Sequence, residues 1–142
     1  MRRVEILCIG KLRDAGLRTL CDEYYRRCAP LLQVTERELR AVTELPRAVA
    51  PRSRLVLLDE GGELLGSRPF AERLKGWLST DGPRLVFAIG GAEGFDEASR
   101  ARADGLLALG RLTLAHRIAR IVLAEQLYRA VSIIGGAPYH RD

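Results

Sequence analysis

Three consecutive residues near the end of the chain, Tyr139, His140 and Arg141, set a phenol, an imidazole and a guanidinium on a tail too short to fold alone. Histidine is the side chain that changes charge nearest neutral pH, which makes His140 a candidate general base and Arg141 a candidate anion holder. Gly135-Gly136 offers the left-handed stop that helix ends favour, and Pro138 keeps the helix from resuming. The tail leaves as an extended strap, either frayed, as termini commonly are, or docked. The segment from Leu114 to Ile134 reads as the helix that carries it. At about 100° per residue, Leu123, Leu127, Val131 and Ile134 share one face while Ile118 and Val122 begin another, so the helix is expected to be buried nearly all round. Glu125, Arg129 and Ser132 fall on that second face. Glu125 and Arg129 stand four apart and can pair, either to fix a helix contact or as part of an active site or symmetric interface beside the tail. Arg117 and Arg120, near the helix start, are the basic residues expected beside the tail.

The elements that must hold these groups alternate. Val4 to Ile9 is an apolar strand ending at Gly10-Lys11, and Asp14 to Cys28 follows as a helix with Leu17, Leu20, Cys21, Tyr24 and Cys28 at helical spacing. Gln33 to Leu39 alternates as a more exposed strand, and Arg40 to Ser53, with Pro46 and Pro51, is a loop with at most one short helix. Leu55 to Leu58 is a buried strand that stops at Asp59-Glu60-Gly61-Gly62. A helix follows, with Ser67 as its N-cap and Phe70, Leu74, Trp77 and Leu78 on one face. Arg84 to Ile89 is a further strand, leading to Gly90-Gly91-Ala92-Glu93-Gly94 and a short helix containing Asp96 to Ser99. This order implies an α/β domain with a mainly parallel sheet, whose ligands settle at the carboxyl ends of strands. Those ends are Asp59 to Gly62, Gly90 to Gly94 and the loop from about Leu109 to Ala115. The Gly-Gly-x-x-Gly run suits either a tight turn or a close ligand approach, and the spacings of dinucleotide and phosphate loops are absent.

The length of 142 residues suits one domain, 1–142, and no run approaches the ~18 apolar residues of a membrane span. The apolar run after Met1-Arg2-Arg3 is too short for a secretory signal and contains Glu5. Cys8, Cys21 and Cys28 are odd in number and lack C-x-x-C spacing, which fits a reducing cytoplasm better than disulfides or zinc. Two separated histidines make no convincing metal site, and His116 could cap or pack at the helix start. The net charge of +5, carried almost wholly by arginine, favours polyanions, nucleic acid first, unless it is a compositional bias spread along the chain. No aromatic ladder for base stacking is evident.

Six segments carry a resemblance: Ile9-Gly10-Lys11, Leu57-Leu58-Asp59, Ile89 to Gly94, Leu112-Thr113-Leu114-Ala115-His116, Ala124 to Ala130, and Pro138-Tyr139-His140-Arg141. Together they span the chain almost end to end, and it resembles the SPOUT-class (α/β-knot) methyltransferases that methylate N3 of a pseudouridine in 23S ribosomal RNA. The resemblance implies a C-terminal trefoil knot, an exception to the usual absence of knots. It also implies a cytoplasmic homodimer that binds S-adenosyl-L-methionine without metal and acts on ribosomal RNA in the assembled ribosome. It puts Leu58, Gly91, Gly110, Arg111, Leu112, Thr113, Leu114 and Ala115 around the cofactor. It puts Glu125, Arg129, Tyr139, His140 and Arg141 near the transferred methyl and the RNA, with the tail of one subunit over the cofactor site of its partner. The chain has Ala92 and Ala115 where the family often has proline, and is shorter between about Leu39 and Arg54.

The expected chemistry is in-line methyl transfer to N3, with His140 as base, Arg129 or Arg141 stabilising the anion or holding a phosphate, and Glu125 orienting Arg129. A ribosome-binding assembly factor without turnover is the alternative. A small phosphate-handling enzyme with an idle tail is a third reading, against which the absence of a phosphate motif counts.

Overall fold

Val4, Ile6 and Cys8 point to one side of the first strand and Leu7 to the other, and all four are buried, so both faces of the sheet must be covered. A computed structural model describes residues 2–79 and 82–141. Met1 and Asp142, included in the sequence reading of the two ends, lie outside the described residues. The strands are β1 (Arg2–Ile9), β2 (Leu32–Leu39), β3 (Arg54–Leu64), β4 (Leu85–Ile89) and β5 (Gly105–Ala108), all pairing in parallel in the order β2-β1-β4-β3-β5. The expected α/β domain with a mainly parallel sheet is what forms.

One face of the sheet is covered by three helices: α1 (Ala15–Arg27), α3 (Ser67–Trp77) and α5 (His116–Gly135). Val56, Phe87 and Ile89 meet Cys28, Phe70, Leu74, Leu123 and Leu127 there. The opposite face, with Leu55, Leu57, Val86 and Ala88, is closed by Leu45 and Val49 around the short α2 (Leu45–Ala48) and by Phe95 ahead of α4 (Glu97–Arg102). A 3-10 turn, Val42–Glu44, precedes α2, so the segment read as a loop holds two short helical pieces. Asp14 caps α1 by accepting from the Leu17 N–H at 3.0 Å. The three cysteines are buried free thiols; burial pushes Cys21 up to about 11 and Cys28 up to about 12, so neither is a thiolate at neutral pH. Among the described residues, no helix is long and apolar enough to cross a membrane.

Apart from shifts of a residue or two at other element ends, the sequence reading is corrected at β3, α3 and α5 for physical reasons. β3 does not stop at Leu58: Leu58 and Glu63 both pair with Leu107 of β5, so the residues between them bulge and the strand resumes to Leu64. Ser67 is not the N-cap of α3. Gly66 holds that position, and the Ser67 hydroxyl instead donates to the Gln126 side chain of α5 at 2.8 Å. α5 begins at His116 rather than Leu114 and ends as expected, with Gly136 in the left-handed conformation at φ +75°.

The bulge makes Gly62 a close-approach glycine. A Cβ there would lie 2.6 Å from the Leu106 carbonyl carbon and the Leu107 nitrogen, backbone atoms that cannot yield without moving β5. Gly62→Ala should cost about 1–3 kcal/mol, as overpacking commonly does, read as a lower urea midpoint at unchanged slope. A midpoint equal to that of the unaltered protein would show that β5 is not held this tightly.

Candidate active site

A cleft of about 660 Å³ opens at the carboxyl ends of β3, β4 and β5, within the range of small-molecule sites. Its wall includes Leu58, Gly91, Gly110, Leu112, Thr113, Leu114 and Ala115, with Asp59, Glu60, Ile89, Phe95 and His116. All the proposed cofactor residues except Arg111 therefore lie together on one cavity; Arg111 is exposed and is not part of its wall. Leu112 is 80% exposed at the mouth, so the apolar lining continues outward to where a ligand enters. Asp59 and Glu60 add carboxylates on one side, the former paired with Arg100 at 2.8 Å.

A second group of residues forms where the tail folds back on α5. Glu125 is its hub, accepting from Arg129 Nε at 3.0 Å and from the Tyr139 hydroxyl at 3.0 Å through Oε1, and from Gln126 at 2.9 Å through Oε2. The Arg129 guanidinium lies 4.8 Å from the Tyr139 ring centroid, and its Nη1 is 3.0 Å from His140 Nδ1. A guanidinium only donates, so a hydrogen bond here has Nδ1 as the acceptor. Burial, then hydrogen bonds with Tyr24 and Glu125, raise the Tyr139 hydroxyl well above its ordinary value, so it is a neutral donor. The structure thus brings Glu125, Arg129, Tyr139 and His140 together, while Arg141 is exposed beyond them.

Sequence reasoning missed the platform under this tail. Tyr139 packs edge-on against Tyr128 with ring centroids 4.6 Å apart, and Tyr128 in turn lies 6.1 Å from Tyr24 of α1, with Arg27 over both. In sequence Tyr24 is part of the helix's apolar pattern; the signal is an aromatic at the position facing Tyr128, which spacing across two helices does not reveal.

The expectation for Arg120 is corrected. It is fully buried and points away from the tail, donating to Glu38 at 2.8 Å and to the Gly10 carbonyl at 2.8 Å, with Glu36 at 3.6 Å. Arg18 also pairs with Glu36, and Tyr25 donates to it at 3.1 Å. The network anchors the end of β1 to the first turn of α5. His116, on the cleft wall, has its Nε2 3.4 Å from Arg120; burial first and then the Arg120 charge hold its ring below the ordinary imidazole value. Nor is α5 buried all round: Ile118 is 38% exposed, and Val122, Glu125 and Arg129 are only half-buried. Among the described residues, no three His, Cys, Asp or Glu side chains meet where they could hold a metal ion.

The cleft and the tail cluster occupy opposite halves of α5. Ala119 lines the cleft, and Arg129 lies ten residues further on, about 15 Å along the helix at 1.5 Å per residue. Within one subunit the two groups do not close on a common point.

The chain's likeness to known proteins covers both groups. A family described as "Predicted SPOUT methyltransferase" matches residues 2–140. The protein named ribosomal RNA large subunit methyltransferase H of Brucella anthropi is 40% identical over 160 aligned positions, covering 99% of each chain. Its namesake of Geobacter metallireducens is 42% identical over 153 positions, again covering 99% of each. Because this chain has 142 residues, these alignments include stretches that only the relatives carry. Two solved structures share the fold: a probable methylase family protein from Haemophilus influenzae, with TM-score 0.63, 12% identity and coverage of 98% of this chain and 70% of that one; and a probable rRNA-methyltransferase from Porphyromonas gingivalis, with TM-score 0.57, 10% identity and coverage of 94% and 70%. The family match runs from the first strand through the cleft loops to His140 in the tail, and the chain therefore belongs to the SPOUT methyltransferase family.

Proposed function

We propose that this protein is a cytoplasmic homodimeric enzyme that methylates N3 of a pseudouridine in large-subunit ribosomal RNA, on the assembled ribosome, with S-adenosyl-L-methionine as cofactor. The observation that carries the reading is the near end-to-end likeness, at about 40% identity, to proteins named as large-subunit rRNA methyltransferases. The cleft fits the cofactor chemically. Its apolar walls at Leu58, Ile89, Phe95 and Leu114 suit an adenine ring, its glycine-rich loops expose backbone donors and acceptors, and Asp59 and Glu60 suit cationic groups. When bound there, S-adenosyl-L-methionine supplies an electrophilic methyl on a sulfonium. The fold would carry the family's C-terminal knot around this site, within one domain spanning 1–142.

The chain's own residues then have to bind the base, remove the N3 proton and stabilise the developing anion. Methyl transfer needs the reacting atoms within about 3.5 Å, far less than the separation of cleft and tail cluster along α5. Pairing two α5 helices head to tail about a twofold axis would set the tail of one subunit over the cleft of its partner. The partly exposed face of Ile118 and Val122, in line with Glu125 and Arg129, supports that pairing. In the docked tail, Nδ1 of His140 is occupied by Arg129 and cannot take a proton. We assign base function to His140 in a state where Arg129 has turned from Nδ1 to the anion forming on the substrate base, with Glu125 keeping hold of Arg129 and Tyr139. Arg141 is assigned to an RNA phosphate.

The test is to incubate the purified protein with labelled S-adenosyl-L-methionine and ribosomes lacking the modification, then map methylated nucleotides by mass spectrometry. Methyl on a large-subunit pseudouridine is the expected result. Cofactor and ribosome binding without transfer would favour an assembly factor without turnover instead.

A further inference from the structure

Some cations of this chain are held by carboxylates and others are not. Arg18, Arg27, Arg37, Arg73, Arg100, Arg102, Arg120 and Arg129 are each paired with a carboxylate. Lys11, Arg13, Arg40 and Arg117 are exposed, and among the described residues their side chains have no ion-pair or hydrogen-bond partner.

The fold gathers these four at one junction. The Gly10 N–H donates to the Leu39 carbonyl at 2.8 Å, and the Leu12 N–H to Glu38 at 2.7 Å, which joins the ends of β1 and β2. Arg120 ties the Gly10 carbonyl to α5, and a Cβ on Gly10 would lie 3.8 Å from the His116 ring. Lys11, Arg13, Arg40 and Arg117 are each within two residues of one of those contacts. His116 is itself on the cleft wall, so the cations border the cleft on its β1–β2 side.

What keeps this border positive is the buried network beneath it. Glu36 and Glu38 would otherwise offset the surface cations, but the buried Arg120 pairs with both, and Arg18, shared with Asp22, pairs with Glu36 as well. Two further carboxylates stand close by, Asp14 and Glu44, and each is engaged by a backbone N–H, of Leu17 and Arg40 respectively. Four cations against these two leave an excess of positive charge. They come from three separate places, the end of β1, the end of β2 and the first turn of α5, which suits successive phosphates of a strand better than one small anion.

We propose that Lys11, Arg13, Arg40 and Arg117 form a phosphate-binding rim that holds the RNA backbone against the β1–β2 side of the cleft. This rests on the methyltransferase reading above and adds where its substrate lies. Each phosphate contact contributes about 0.7 to 0.9 to the slope of log affinity against log salt. Four contacts therefore account for about 3 units of slope.

The experiment compares the fourfold alanine variant at Lys11, Arg13, Arg40 and Arg117 with a control of equal charge loss, Arg3, Arg52, Lys75 and Arg84 to alanine, at exposed positions by the opposite ends of the strands. Binding to unmodified large ribosomal subunits and to a short fluorescein-labelled single-stranded RNA is titrated across salt, with cofactor affinity and circular dichroism confirming that each variant is folded. The rim variant should bind both about 100-fold or more weakly at low salt with the slope reduced by about 3, and the control should stay close to the unaltered protein. Equal losses in both variants would mean that net charge alone matters, and an unchanged rim variant would mean that the RNA lies elsewhere; either overturns the proposal. If the unaltered protein binds neither probe, the methyltransferase reading itself fails, which the comparison of variants alone would not indicate.

Discussion

Deleting Tyr139 to Asp142 is expected to lower methyl transfer by at least about 10²-fold, the lower end of what a positioned acid–base group contributes, while leaving cofactor affinity unchanged. The reason is the division of labour along α5. The cleft is built from the ends of β3, β4 and β5 and the first turn of α5, and Tyr139, His140 and Arg141 are not among the residues of its wall; Tyr139 and His140 meet Glu125, Tyr128, Arg129 and Tyr24 instead. The same separation allows a sharper test. A truncated subunit with a sound cleft and a full-length subunit with its cleft filled by Gly91→Trp should each be inactive alone. If the tail serves the partner's cleft, random mixing should restore about a quarter of the activity, since half the dimers are mixed and each has one complete site. No recovery, with mixed dimers demonstrated by mass, would place the working tail on its own subunit's cleft and refute the proposed pairing. Loss of cofactor binding on truncation would show that the tail also closes the cleft.

The parts of this architecture legible in the sequence are those set by local pattern. Burial on both faces requires apolar runs such as Leu85 to Ile89, and such runs identify the strands directly. Gly135-Gly136 marked the helix stop because one glycine there must be left-handed. The glycine loop and the strand-end positions pointed to a cleft because a parallel sheet exposes its loops at one edge. Pairings across long separations were not legible. Nothing near Leu58 announces that β3 resumes after a bulge, since its partner Leu107 is 49 residues away. Arg120 reads in sequence as a cation beside the tail because its two carboxylates lie on β2, yet Glu36 and Glu38 do share one side of that strand with Leu32 and Val34. Two acids on that side are the available signal, and it indicates a buried cation without saying which one.

Arg120→Met should be the most damaging single change to stability. It leaves Glu36, whose side chain is only 7% exposed, and Glu38, 35% exposed, without the cation shared between them; breaking a buried pair by removing one partner commonly costs about 3–5 kcal/mol, and the lower end applies here because water reaches Glu38 and Arg18 still pairs with Glu36. The loss should depend on pH in a defined direction. Burial pushes the Glu38 carboxyl up, but the Leu12 N–H and Arg120 together outweigh it and hold it below the usual carboxylate range. A group with a depressed folded pKa contributes its stability above its unfolded pKa, and loses it as pH falls through the lower folded value. In the variant the Glu38 carboxyl takes up its proton more readily, so the deficit should be largest at neutral pH and shrink as pH falls below about 4.3, the ordinary glutamate value. Urea melts of both proteins at neutral and acid pH measure this directly. Adding Glu38→Gln to Arg120→Met should recover part of the loss at neutral pH, because it removes one stranded charge. A deficit that is the same at every pH would show that Arg120 acts through packing alone. Cofactor affinity should fall along with stability, since Arg120 holds the end of β1 to the first turn of α5, where His116 and Ala119 form part of the cleft.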